Sequence, residues 1–230
     1  MRNHIWLLFL PFFLISCGPP EFENNTRILV KGNLVDQDNS PLNNLEISVN
    51  TRKPTSLFSG ESHFVLGSGF SQLDGSFAVT SLFDRDNDFS IEIDGEDNYS
   101  TYVYATNTED YVPENFTFNL QTIILYKLSN ITYNIERTSP VGTTLRFSFG
   151  FQDKDCIEYY DEGAINPTYS NCYQERTLVR TLNDNLPDMS GSFTSLLGST
   201  VVFTYSINEE PEQTQIFVLD QVNYEYNFNY

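Results

Sequence analysis

Positive charge is scarce in this chain: 12 lysines and arginines stand against 31 aspartates and glutamates, a formal charge of −19. Nucleic-acid binding rests on a basic footprint that displaces counterions from phosphates, so no nucleic-acid partner is expected. Electrostatic docking on anionic lipid is excluded on the same ground. Histidine is almost missing, with two in 230 residues. His4 lies in the short basic head of an expected export signal, which leaves His63 as the one histidine for Ser-His-Asp or Cys-His chemistry. It stands in Ser62-His63-Phe64 at the start of a strand pattern, without a nucleophile-elbow motif anywhere, and reads as a strand-edge surface residue. Cysteine is limited to three residues, none in a CxxC pair, so no zinc site is expected. We expect no metal and no cofactor. Long apolar runs are lacking too. The longest, at 5–15, is broken by Pro11 and falls short of the roughly 20 residues a membrane-spanning helix needs.

What is present begins at the N-terminus. A short basic head, Met1-Arg2-Asn3-His4, precedes the apolar run, the n-region and h-region layout of an export signal. The run ends in Leu14-Ile15-Ser16-Cys17-Gly18. These residues resemble the lipobox of bacterial lipoproteins, which implies that residues 1–16 are a signal peptide. The resemblance further implies that the Cys17 thiol carries diacylglycerol as the first residue of the mature chain. Loss of 1–16 would remove Arg2 and no acid, making the chain still more anionic. Each buried acyl methylene contributes about 0.8 kcal/mol, so two or three chains anchor far better than one. Residues 17–26, with Gly18-Pro19-Pro20 and Asn24-Asn25, read as a lipidated tether.

Assigning Cys17 to lipid leaves Cys156 and Cys172, an even pair in an exported chain and hence a disulfide candidate. The bond would close a loop of about 16 residues and stabilise by roughly 3 kcal/mol in the chain-entropy treatment.

Aromatic residues are abundant, with 19 Phe and 14 Tyr, which argues against disorder. β-branched and aromatic residues alternate with polar ones, and helical periodicity is nearly absent. In the first half, strands are expected at 27–36, 45–51, 63–72, 76–83, 89–94, 100–105 and 116–127. Turn signals such as Asp38-Asn39-Ser40-Pro41 and Asp74-Gly75 lie between them. Seven short strands at this spacing suggest an antiparallel sandwich. In the second half, strands are expected at 131–137, 144–153, 156–160, 173–182, 199–207, 213–219 and 222–230. Leu145, Phe147, Phe149 and Phe151 share one face of one strand, and Tyr224, Tyr226 and Phe228 share one face of the last. No sequence repeat links the two halves.

Within the first half, Val30-Lys31-Gly32-Asn33-Leu34-Val35-Asp36, Ser40-Pro41-Leu42, Leu45-Glu46-Ile47-Ser48-Val49 and Leu73-Asp74-Gly75-Ser76-Phe77 resemble the carboxypeptidase regulatory-like (transthyretin-like) domain. The resemblance covers about residues 27–127 and departs from the pattern by an insertion at 52–62. It implies a non-catalytic accessory sandwich and transfers no catalytic residue. In it Gly75 would take the positive φ of a tight turn, and Phe77 would re-enter the core.

The expected fold class is therefore all-β: two consecutive antiparallel β-sandwiches of Ig/transthyretin-like type, at 27–128 and 129–230, the second of no recognised family. Tyr159, Tyr160, Tyr169 and Tyr173 cluster around the disulfide loop and are candidates for binding a glycan or protein partner, because loops on rigid sandwiches often carry binding. Asp84, Asp86 and Asp88 place carboxylates at alternate positions, as calcium loops do, but Phe89 stands where an EF-hand needs glycine and Gly95 where it needs glutamate. They read as an acidic turn. No pair among the 31 acids is singled out for glycoside hydrolysis. The terminal aromatic alternation resembles an outer-membrane barrel strand, but the lipobox and the many short strands disfavour a barrel.

The expected function is a non-enzymatic, lipid-anchored protein of the cell envelope. It would present a binding or structural surface to a protein or glycan partner and reach the membrane through lipid on Cys17. The alternative is an envelope-anchored glycan hydrolase working through carboxylates. The Asn- and Tyr-rich, base-poor style resembles lipoproteins of Bacteroidota, which implies the outer membrane, on either face. A Cys17→Ser variant should be released as soluble protein on cell fractionation; retention in the membrane pellet would count against lipid anchoring.

Overall fold

The computed structural model describes residues 26–56, 59–85 and 88–230. The expected signal peptide at 1–16, Cys17, nearly all of the expected tether, and Asp86 lie outside the described residues. Among those described, the protein is all-β, with seventeen strands and one short 3-10 turn.

The first unit is built from β1 (Arg27–Asp36), β2 (Glu46–Ser56), β3 (Ser59–Phe70), β4 (Ser76–Leu82), β5 (Asp88–Ile93), β6 (Thr101–Asn107) and β7 (Thr117–Leu125). β1 lies between β4 and β7 in a three-stranded sheet, while β3, β2, β5 and β6 follow one another in a larger one. Strand alternation puts Val30, Ile47, Val49, Phe77, Ile91 and Phe118 into a single core between the sheets. Gly75 adopts φ +80°, and a Cβ there would lie 2.4 Å from the Leu34 carbonyl oxygen. The turn therefore demands glycine, as the sequence led us to expect. The described residues of the insertion, 52–56 and 59–62, form no widened loop. They belong to β2 and β3, which stay paired from Glu46↔Phe70 out to Ser56↔Ser59 and run past the end of β5 as a hairpin arm.

The second unit comprises β8 (Leu128–Glu136), β9 (Leu145–Gln152), β13 (Glu175–Leu182), β14 (Met189–Leu196), β15 (Thr200–Ile207), β16 (Gln213–Val218) and β17 (Asn223–Asn229). Its two sheets run β14-β8-β17 and β13-β9-β15-β16. β14 escaped the sequence reading because Met189-Ser190-Gly191-Ser192-Phe193-Thr194-Ser195-Leu196 offers little apolar alternation; its pairing with β8 over eight residues makes it a strand. The core is aromatic: Phe147, Phe149 and Phe203 are fully buried, with Phe149 and Phe203 centroids 4.8 Å apart.

The two units share one connectivity. In each, the first strand pairs antiparallel with the fourth and parallel with the last. In each, the second strand pairs with the third and fifth, and the fifth with the sixth. The expectation of wholly antiparallel sandwiches is corrected on this point: β1–β7, β8–β17 and β6–β10 are parallel pairs. A repeat absent from the residues is present in the topology.

The units are joined by more than a linker. β9 and β13 continue beyond their own sheet as β10 (Asp155–Asp161) and β12 (Asn171–Cys172), bridged by Asp153 N–H to the Gln174 carbonyl at 2.8 Å and Tyr173 N–H to the Asp155 carbonyl at 2.9 Å. β11 (Ala164–Ile165) closes the arm. β10 then pairs in parallel with β6, from Asp155↔Thr101 to Tyr160↔Thr106. Residues 155–172, placed by chain order in the second half, thus extend the large sheet of the first unit. Cys156 is buried in that unit's core, and the Cys156–Cys172 disulfide ties the arm's two strands where they face each other. At the junction, the Lys127 ammonium lies 3.0 Å from the buried Asp36 carboxylate and 2.9 Å from Asp38. Burial works against the Asp36 anion. Hydrogen bonds from the Ser40 and Asp38 backbones and from Lys127 outweigh it, holding that carboxyl below its ordinary 3.8.

Replacing both cysteines, Cys156→Ala with Cys172→Ala, should lower the urea unfolding free energy by about 3 kcal/mol. A loss below about 1 kcal/mol would show that the pairing of β10 with β6 holds the arm without the bond.

Candidate functional site

The addition of β10 creates a cleft. The small sheet of the first unit ends at β7, but the large sheet now runs one strand further, past β6 to β10. The overhang leaves a recess of about 610 Å³ between β7 and the β6–β10 surface.

Period-two alternation decides which side chains enter it. On β6, Tyr102 and Tyr104 face the core side. The register places Cys156 beside Tyr102 and Glu158 beside Tyr104, so Cys156, Glu158 and Tyr160 share that face. Ile157 and Tyr159 point to the opposite face, beside Val103 and Ala105. The four tyrosines singled out from sequence therefore separate. Tyr160 and Tyr173 line the cleft. Tyr159 and Tyr169 pack edge to face, 5.5 Å apart, and do not line it; Tyr169 is 63% exposed.

Sequence inspection missed Tyr102, Tyr104, Tyr111, Tyr126 and Glu158. They lie up to 71 residues from Tyr173, and nothing local announces that they converge. Tyr104 and Tyr160 stack with centroids 4.2 Å apart; Tyr126 and Tyr173 meet edge to face at 5.1 Å. At one end the arm turns at Glu162 and Gly163, both with positive φ, between the paired Asp161 and Ala164, which is the two-residue hairpin turn that favours glycine. A Cβ on Gly163 would fall 2.8 Å from the Tyr111 ring, so this glycine lets the arm tip close against the tyrosine wall.

Glu158 is the chemical centre of the cleft. The Tyr102 hydroxyl donates to its Oε2 at 2.7 Å and the Tyr160 hydroxyl to the same oxygen at 3.0 Å. Burial pushes the Tyr102 phenol far above its ordinary 10, and the Glu158 anion adds to the shift. The same two causes in the same order push Tyr160 up to about 12. Burial also raises Tyr104 and Tyr173. The tyrosines thus stand as neutral donors and apolar ring faces, unsuited to act as bases near neutral pH. Glu158, Cys156 and Cys172 lie close enough to suggest a metal site, but both sulfurs are spent in the disulfide and a disulfide is not the thiolate a metal requires.

The other sequence candidates lie elsewhere. His63 on β3 sits 3.9 Å from Glu92 and is half exposed, at the surface as expected. Asp84 is buried, and its carbonyl accepts a hydrogen bond from Thr108. Asp88 is the exposed first residue of β5, its carbonyl taken by the Thr51 hydroxyl.

No protein-family model matches this chain, and no curated protein does. Among solved structures, it is similar to the shaft pilin SpaA from Lactobacillus rhamnosus GG at 8% identity, covering 88% of this chain and 96% of the pilin, with a TM-score of 0.30. It is similar to a streptococcal ancillary pilin at 12% identity over 90% of this chain and 63% of that one, TM-score 0.31. A 9R-lipoxygenase from Cyanothece is similar at 17% identity over 46% of this chain, TM-score 0.30; the match spans 18% of the lipoxygenase.

Because the folded phenols hold their protons above pH 10, stability should fall as pH rises from about 10 through about 12, where the unfolded chain ionises first. Absorbance titration should show a set of tyrosines ionising late, and Glu158→Gln should bring part of that set down. Late ionisation unchanged in Glu158→Gln would remove Glu158 as a contributor.

Proposed function

We propose that this is a lipid-anchored envelope protein, held by Cys17, that binds a glycan in the tyrosine-lined cleft without catalysing a reaction. The observation that carries the reading is the cleft: neutral tyrosine rings around one carboxylate, in a recess large enough for a few sugar rings. Sugar rings present apolar C–H faces that stack on aromatic side chains, and their hydroxyls take hydrogen bonds from placed polar groups. Asn119, Gln121 and Thr122 on β7 supply such groups at the rim.

The hydrolase alternative is less well supported. Glycoside hydrolysis in its usual form uses two carboxyl groups about 5–9.5 Å apart across the scissile bond. Glu158 is the one carboxylate among the residues lining this cleft, and two phenols already hold one of its oxygens. The short link from Cys17 to β1, nine residues spanning at most about 30 Å, would keep the cleft near the membrane, where envelope polysaccharide is within reach.

Binding to envelope polysaccharide fragments, followed by saturation-transfer NMR, tests the reading. Tyr160→Ala and Tyr173→Ala should each weaken binding about tenfold, while Tyr159→Ala and Tyr169→Ala on the other face should not. Equal loss from both pairs would remove the cleft as the site. Turnover abolished by Glu158→Ala would replace binding with hydrolysis.

A further inference from the structure

We infer that the cleft selects a glycan bearing a free amine, with its ammonium seated on Glu158 beside the Tyr160 ring. The inference rests on the glycan reading above and names the sugar class.

Three observations converge on it. First, the cleft holds a single charge. Glu158 lines it, and neither lysine nor arginine does, so a ligand cation meets a carboxylate with no competing protein cation at hand. Second, that carboxylate is half used. Tyr102 and Tyr160 both donate to Oε2, and among the described residues Oε1 accepts no hydrogen bond. Oε1 is open to the cleft rather than buried, so it is free to take a donor from a ligand, and a charged donor gives the stronger bond to a carboxylate. An ammonium brings three donors and no acceptor. A sugar hydroxyl completes the hydrogen bond but leaves the charge uncompensated. Third, the surrounding groups are rings. Tyr102 and Tyr104 are buried and Tyr104 stacks on Tyr160, so the ring beside Glu158 that a ligand can reach is the half-buried Tyr160, whose hydrogen is committed to Oε2 and whose electron-rich face attracts cations.

The same arrangement works against the other sugar classes. A uronic acid or sulfated sugar would bring an anion beside Glu158 in a chain of net charge −19. An N-acetylated sugar keeps the stacking but has no cation to place. The cleft therefore distinguishes an amino sugar from its acetylated form by charge rather than by shape.

The test uses the full mature protein and three sets of short oligosaccharides of equal length and linkage: β-1,4-glucosamine, β-1,4-N-acetylglucosamine and β-1,4-glucose, titrated by calorimetry. The amine form should bind at least tenfold more tightly than either neutral form. Glu158→Gln keeps the size of the side chain and an acceptor for the phenols. It should bring the amine form down to the level of the neutral ones, while Tyr160→Ala weakens all three. Glu209→Gln, which removes an exposed acid far from the cleft, controls for general attraction of a cation to an acidic protein. Equal losses from Glu158→Gln and Glu209→Gln would overturn the inference. Neutral sugars binding as well as the amine, and still depending on Tyr160, would overturn amine selection and leave the glycan site standing. No binding of any of the three would remove both.

Discussion

The hydrogen-bonded ladder between β6 and β10 is the interaction on which the arrangement of this protein depends. Without it the first unit would end its large sheet at an open edge, and such edges are templates for unwanted pairing. The second unit covers that edge by lending a strand. Six residues of main chain, Asp155 to Tyr160, align with Thr101 to Thr106. This ladder makes the large sheet wider than the sheet facing it, and the mismatch in width is the cleft. It also brings Cys156 into the core of a unit to which it does not belong by chain order, and sets Glu158 beside Tyr104, within reach of the Tyr102 hydroxyl. The widened sheet, the buried setting of Cys156 and the site are thus consequences of one pairing. The Lys127 clamp on Asp36 and Asp38 fixes the junction from the other side, so the strand is offered from a defined direction.

The second feature is the repetition of one seven-strand connectivity in two units with no residue similarity to betray it. Both units elaborate the same place, the hairpin between their second and third strands. In the first it is the β2–β3 arm extending past β5; in the second it is the β9–β13 hairpin that becomes β10 and β12. A hairpin lengthened at its tip leaves the sandwich core untouched, which makes this connection a site where length can change at little cost. The longer of the two arms reaches a neighbouring sheet.

How much of this was legible in the residues follows from the range over which each feature is encoded. Alternation is local, so the strands around Val30, Phe147 and Tyr226 could be read directly, as could the turn at Gly75. The disulfide was legible from the even pair left once Cys17 was set aside as the expected lipid site. β14 was not, because Ser190, Gly191 and Ser192 give no alternating signal and the strand is specified by its partner β8. The parallel pairing of β6 with β10 was beyond reach, since the two strands lie about 50 residues apart and no local pattern marks a parallel neighbour. The site inherited that blindness. Tyr160 and Tyr173 were found because they flank the disulfide. Tyr102 and Tyr104 looked like ordinary alternation, which they also are, and Tyr159 was included because adjacency in sequence conceals that neighbours on a strand face opposite ways.

The same topological position receives two different treatments in this molecule, and the contrast explains why only one of them carries a cleft. β6 and β16 are the sixth strands of their units; β16 ends its sheet, and β6 would end its own but for β10. β16, Gln213-Thr214-Gln215-Ile216-Phe217-Val218, pairs with β15 on one side alone and leaves Ile216 and Val218 more than half exposed. What protects it lies at its ends. Glu209, Glu210, Pro211 and Glu212 precede it and Asp220 follows, so a second anionic copy approaching this edge meets like charge, and the proline cannot donate to a ladder. β6 too has acids near its ends, Glu96 and Asp97 before it and Glu109 and Asp110 after it, but it has a buried tyrosine face to complete: Tyr102 and Tyr104 would stand at a wet edge if β10 were absent. Charge suffices where the strand's outer face is polar and β-branched. Where the inner face is aromatic and must remain dry, the edge has to be covered, and the cover supplies the carboxylate that the tyrosines then hold.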